Sequence, residues 1–117
     1  MGMTRNGMRP IHPGEILREE FLMPLRMTAY ALSKALHIPA TRVNDIVNHK
    51  RGVTADTALR LARYFGNSPE FWLNLQTAHD LRAAEREAAG RIGREVLPRK
   101  NGRGSGGILG GRLTTNS

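Results

Sequence analysis

Apolar residues recur at helical spacing in five successive segments, and no segment alternates apolar and polar positions in the two-residue rhythm of a strand. The first opens at Pro13, which suits a first helical turn because its missing N–H has no partner there, and Glu15 faces the positive end of the dipole. The spacing predicts a helix from Pro13 to about Leu22 that buries Ile16, Leu17 and Phe21 and is stopped by Pro24. Thr28 is placed to cap a second helix with Ala31, Leu32, Ala35 and Leu36 on one face. His37-Ile38-Pro39 is too short for anything but a tight turn. Pro39 opens a third helix striped by Val43, Ile46 and Val47, and Gly52 ends that segment. Thr54 caps a fourth, with Ala58, Leu61, Ala62 and Phe65 inward and Gly66 closing it. Ser68-Pro69-Glu70 repeats the start signal for a fifth, which carries Phe71, Trp72, Leu75 and Ala78 and continues through Leu81 toward Ala89. The pattern predicts an all-α fold.

Composition changes at Gly90. Eight of the 13 glycines lie between Gly90 and Gly111, with few large apolar residues among them, so this stretch cannot build a core. The organisation expected is a flexible lead over residues 1–12, one helical domain over 13–90 and a disordered basic tail over 91–117, in which only Ile92 to Leu97 could lengthen the last helix. Charge is divided the same way. The whole chain of 117 residues carries +8, of which residues 91–117, with six basic and one acidic side chain, contribute +5. That excess favours a polyanionic partner. The tail is expected to raise affinity for random DNA by counterion release, with ordering against a protein partner as the other option. With no cysteine, disulfides, thiolate zinc sites and thiol nucleophiles are excluded. No apolar run approaches the roughly 20 residues of a membrane span, and a soluble cytoplasmic protein is expected.

Two short helices joined by a three-residue turn, the second opening with polar residues, have the outline of a DNA-reading helix-turn-helix. Leu36, Ile38, Val43 and Ile46 are spaced to pin the pair in a crossed arrangement. His37 occupies the turn position where glycine is common, and histidine is among the residues that tolerate a left-handed backbone. Ser33 is small enough for the close crossing. Outward on the third helix stand Thr41, Arg42, Asn44, Asp45 and Asn48. Arg42 can meet guanine O6 and N7 bidentately, Asn44 and Asn48 suit adenine edges, and Thr41 suits a phosphate or a thymine methyl. Asp45 either accepts from cytosine or orients Arg42, the second being preferred. Lys50, Arg51, Thr28 and Tyr30 are expected beside the phosphate backbone, with partial packing against the third helix as the other reading of Tyr30.

Over Pro13 to Leu81 the resemblance becomes specific. The blocks HPGEILREEFLMPL, AYALSKAL, TADTALRLARYFG and SPEFWLNLQTAHDL resemble the HigA-type antitoxins, also known as virulence-associated protein I, which are lambda-repressor/Cro-like regulators. The resemblance covers about 70 of the 117 residues and leaves the Gly-rich tail outside it. It implies a lambda-repressor-like, homodimeric binder of a palindromic operator that represses its own operon and neutralises a RelE-like mRNA interferase as its cognate toxin. Two rival classes remain: a stand-alone helix-turn-helix regulator without a toxin, and a protein-interaction module that no longer binds DNA. The outward set Arg42, Asn44, Lys50 and Arg51 argues against the second.

Other chemistry finds little support. Trp72, Phe71 and Leu75 read as core or dimer seam rather than a ligand pocket, with Trp72 inward and Leu75, Ala78 and Leu81 toward a partner subunit. His12, His37, His49 and His79 are scattered without metal-ligand spacing, so no metal or other cofactor is expected. Glu15, Glu19 and Glu20 have no nucleophile and base beside them, and catalysis is not expected.

Overall fold

A computed structural model describes residues 9–100, which form five helices and no strand. Residues 1–8 and 101–117, and with them most of the expected flexible lead and disordered tail, lie outside the described residues.

The first helix, α1, opens over Pro13–Ile16, widens into a π-helical stretch over Leu17–Leu22 and closes over Met23–Leu25. Its cap is His12, whose Nδ1 accepts the Gly14 N–H at 2.8 Å. Pro24 does not stop it, contrary to the sequence expectation. Proline leaves the carbonyl four residues back without its donor. The wider turn absorbs that loss by pairing each carbonyl five residues on, as in the Met23 N–H to Arg18 carbonyl bond. Arg26, left-handed at φ 55°, ends the helix instead. The same widening moves the inward position from Phe21 to Leu22. Leu17 and Leu22 are buried, while Ile16 and Phe21 are only half-buried.

Helix α2 spans Ala29–Leu36 and is capped by Thr28 Oγ1, which accepts the Ala31 N–H at 3.0 Å. Its buried stripe is Leu32, Ser33 and Leu36, so the helix is rotated from the expected face and Ala31 and Ala35 are exposed. Ser33 can be buried because its hydroxyl donates to the Tyr30 carbonyl at 2.6 Å. His37 then takes the left-handed conformation at φ 59°. Helix α3, Ala40–Val47, buries Val43 and Ile46 and half-buries Val47. It ends five residues before Gly52: His49 is left-handed at φ 64°, and the Lys50 N–H returns to the Asp45 carbonyl at 2.7 Å. Gly52 serves a different purpose, since a Cβ there would sit 2.7 Å from the Gln76 amide.

Helix α4, Ala55–Phe65, starts at the Thr54 cap and stops at Gly66, φ 78°; Thr57, Ala58, Leu61 and Ala62 are buried and Phe65 is half-buried. Helix α5 spans Pro69–Glu95, and the Phe71 N–H donates to Ser68 Oγ at 3.0 Å. Trp72, with no exposed surface, is the one residue of α5 that is fully buried, and its indole N–H donates to Asn67 Oδ1 at 2.9 Å. The core joins Leu17, Leu22, Leu32, Leu36, Val43, Ile46, Leu61 and Trp72, with the Phe21 ring packed against Phe65 at 4.7 Å and Trp72 at 5.1 Å.

A division between Glu87 and Ala88 separates two compact units. In the second, the backbone stays helical through Gly90 and Gly93 to Glu95, past the point where the glycines were expected to end it. Arg91 and Glu95 pair one turn apart at 3.7 Å there.

Candidate nucleic-acid interface

The α2–α3 pair is held from behind, which leaves the outer face of α3 free. The first turn of α1 lies so close that a Cβ on Gly14 would fall 1.8 Å from the Ile46 carbonyl oxygen. On the α4 side, Arg60 donates to the Leu36 carbonyl at 3.0 Å and to Asp56 at 2.8 Å. The Arg60 guanidinium holds the Asp56 carboxyl below its ordinary range, and the Arg42 charge adds to the effect.

On the outer face Thr41, Asn44 and Asn48 are exposed, while Arg42 and Asp45 are half-buried. Asn44 spends one amide hydrogen on the Ala40 carbonyl at 3.1 Å and keeps its carbonyl oxygen. Asp45 forms its ion pair with Arg51 at 3.9 Å, across the end of the helix, and not with Arg42. The preferred expectation for Asp45 is thereby corrected. The left-handed turn at His49 brings the chain back over the last turn of α3, and Arg51 with it.

Lys50 and Arg51 are exposed at one end of α3, and Thr28 and Tyr30 are exposed at the start of α2. Tyr30 is 62% exposed, with the Lys34 ammonium 5.5 Å from its ring centre. Lys34 is a cation that pattern reading passed over, one turn beyond Tyr30 on the same face. Also passed over was Gln76, whose Oε1 accepts the Val53 N–H at 2.6 Å while its amide donates to Asp80 at 2.9 Å. That bond fastens the loop after Arg51 to α5.

Among the seam residues, Leu75 is half-buried against the core, whereas Ala78 is exposed and Leu81 is 58% exposed. Of the four histidines only His37 stands apart. His12, His49 and His79 come together with ring centres 4.7 and 4.9 Å apart. Among the described residues no group of His, Cys, Asp or Glu is arranged to hold a metal ion, and no helix is long and apolar enough to cross a membrane.

A helix-turn-helix family profile matches residues 17–72. Virulence-associated protein I of Dichelobacter nodosus is 59% identical over 83 residues, covering 71% of this chain and 77% of that protein. The solved structure of an addiction-module antidote protein of the HigA family from Coxiella burnetii is 54% identical, with a TM-score of 0.75 over 79% of this chain and all of that one. This chain belongs to the HigA-type antitoxins. The Pseudomonas aeruginosa antitoxin HigA, solved with the higBA promoter, is 50% identical with a TM-score of 0.75 and covers 77% of this chain and 98% of that one. HigA-type proteins are helix-turn-helix regulators and antitoxins, not enzymes.

Proposed function

We propose that this HigA-type chain is a homodimeric operator-binding antitoxin. It lays α3 of each subunit in successive major grooves of a palindromic operator, represses its own operon and neutralises a RelE-like mRNA interferase. The observation that carries the DNA half is the outer face of α3: Thr41, Arg42, Asn44, Asp45 and Asn48 stand on a helix locked from behind by Val43 and Ile46, with Lys50 and Arg51 exposed at its end. Arg42 reads guanine, Asn44 and Asn48 read adenine, and Asp45 steers Arg51 toward a phosphate. Thr28 and Tyr30 hold the backbone at the other end of the pair. The exposed Ala78 and Leu81, continued from Leu75, form the dimer seam, and two-fold symmetry then sets the reading helices roughly 34 Å apart. The toxin half is supported by the antitoxin relatives.

The test is binding of the full chain to the DNA upstream of its own reading frame. Arg42→Ala costs about 1–3 kcal/mol on that operator and relaxes preference at one base pair per half-site. Equal weakening on operator and random duplex refutes base reading by Arg42.

A further inference from the structure

Three imidazoles from three separate elements meet behind the end of α3. His12 caps α1, His49 follows α3 in the left-handed conformation, and His79 lies on α5. His12 is buried and stacks on exposed His49, with planes within 10°, while the His79 ring meets it edge-on. Its Nδ1 accepts the Gly14 N–H, so the ring proton sits on Nε2, and the Arg51 backbone carbonyl pulls weakly toward the charged form. Through its stacking on His49, one neutral ring thus ties the first turn of α1 to the loop that carries Lys50 and Arg51.

The groups around that ring come from the loop, from α5 and from α1. The loop supplies His49 and Arg51, the latter's guanidinium paired with Asp45. From α5 come His79 and Asp80, whose carboxylate also receives Gln76 and lies 3.3 Å from His79 Nδ1. On α1 itself Glu15 pairs with Arg9 at 3.0 Å. Burial, followed by the fields of His49 and His79, lowers the ring from 6.5 to about 4, and the opposing pull of Asp80 and the Arg51 carbonyl is smaller. A charged ring loses its acceptor for Gly14 and faces two further imidazoles.

We propose that His12 is a positioning residue for the Lys50–Arg51 loop: its neutral ring clasps the loop to α1, and protonation releases it. The clasp stands on the Gly14 bond, the stacking on His49 and the burial of the ring, and its consequence for DNA rests on the function proposed above. Once the loop is open the ring regains its ordinary value. The closed state is therefore fully favoured above pH 6.5, loses ground by about tenfold per pH unit as pH falls from there to about 4, and loses no more below that.

Amide hydrogen exchange on the full chain tests the clasp, with two substitutions that divide the ring's bonds. His12→Asn places an amide oxygen where Nδ1 was and keeps the cap; His12→Gln places an amide nitrogen where Nε2 was and keeps a donor for the loop backbone. In the native chain the Gly14 and Val53 amides should be less protected than those of Leu61 and Ala62. After correction for intrinsic exchange they should lose about tenfold in protection per pH unit below 6.5. Neither variant should show that slope. Equal protection of loop and core amides, or a slope surviving in both variants, overturns the clasp. Duplex binding tests the consequence: His12→Asn should flatten the dependence of log affinity on log salt by about one unit or more, and His12→Gln should retain it. If exchange behaves as stated while both variants bind duplex like the native chain, the loop's contact with DNA is refuted and the clasp is not.

Discussion

Helices α3 and α5 use their residues in opposite ways. Helix α3 is a single eight-residue segment too short to be stable alone, and it exists because Val43 and Ile46 are buried on one side. Its other side is free to be polar. Helix α5 spans Pro69–Glu95, yet among its residues only Trp72 is fully buried. Of its apolar positions, Phe71 and Leu81 stay exposed. Burial therefore accounts for α3 completely and for α5 only near its start. The remainder of α5 up to Glu87 presents apolar surface that a second subunit would cover.

The largest effect expected is from removing the one fully buried residue of α5. Trp72→Ala should cost about 3–5 kcal/mol, at least as much as Ile46→Ala at about 2–5 kcal/mol, in equilibrium denaturation. A smaller loss at Trp72 than at Ile46 would mean that other contacts dock α5 and would erase the contrast. Next, Leu81→Asp should leave the folded domain's far-UV spectrum intact and convert dimers to monomers in sedimentation, because its side chain lies outside the core. A dimer that persists removes Leu81 from the seam. A smaller effect separates the two kinds of contact around α3: Lys50→Ala and Arg51→Ala should each weaken binding to all duplexes alike and flatten the salt dependence by about one unit. Retained slope would leave the end of α3 without a phosphate contact. Smallest is Gly90→Ala, which should add up to about 1 kcal/mol of helix propensity, since only the Arg94 side chain, 3.5 Å away, would meet the new methyl. An unchanged helical signal on heating would show that the helix there does not depend on propensity.

The candidate site divides in the same manner. The outward positions of α3 were legible because a buried stripe at 43 and 46 dictates which side chains turn away. Lys34 and Gln76 were not, as each looks like an ordinary polar residue on a solvated helix until its neighbour in space is known. Asp45 was assigned to Arg42 because a pair three residues apart on a helix is the default. The left-handed turn at His49 folds Arg51 back to compete for it, and no helical spacing rule includes that turn.

What the sequence determined by itself are the features made within a few residues. Thr28, Thr54 and Ser68 cap their helices by bonding a backbone N–H three residues on, and His37 and Gly66 close theirs in left-handed conformations. Such bonds depend on the local backbone alone, so residue type and order suffice. The tertiary structure decided the π-helical register that turns Leu22 inward, the rotation of α2 onto Ser33, the meeting of His12, His49 and His79, and the fastening of Val53 to Gln76, 23 residues away. These depend on how complete helices pack. A shift of one residue, or a modest rotation about a helix axis, changes which side chains meet while leaving each helix's own periodicity almost unaltered.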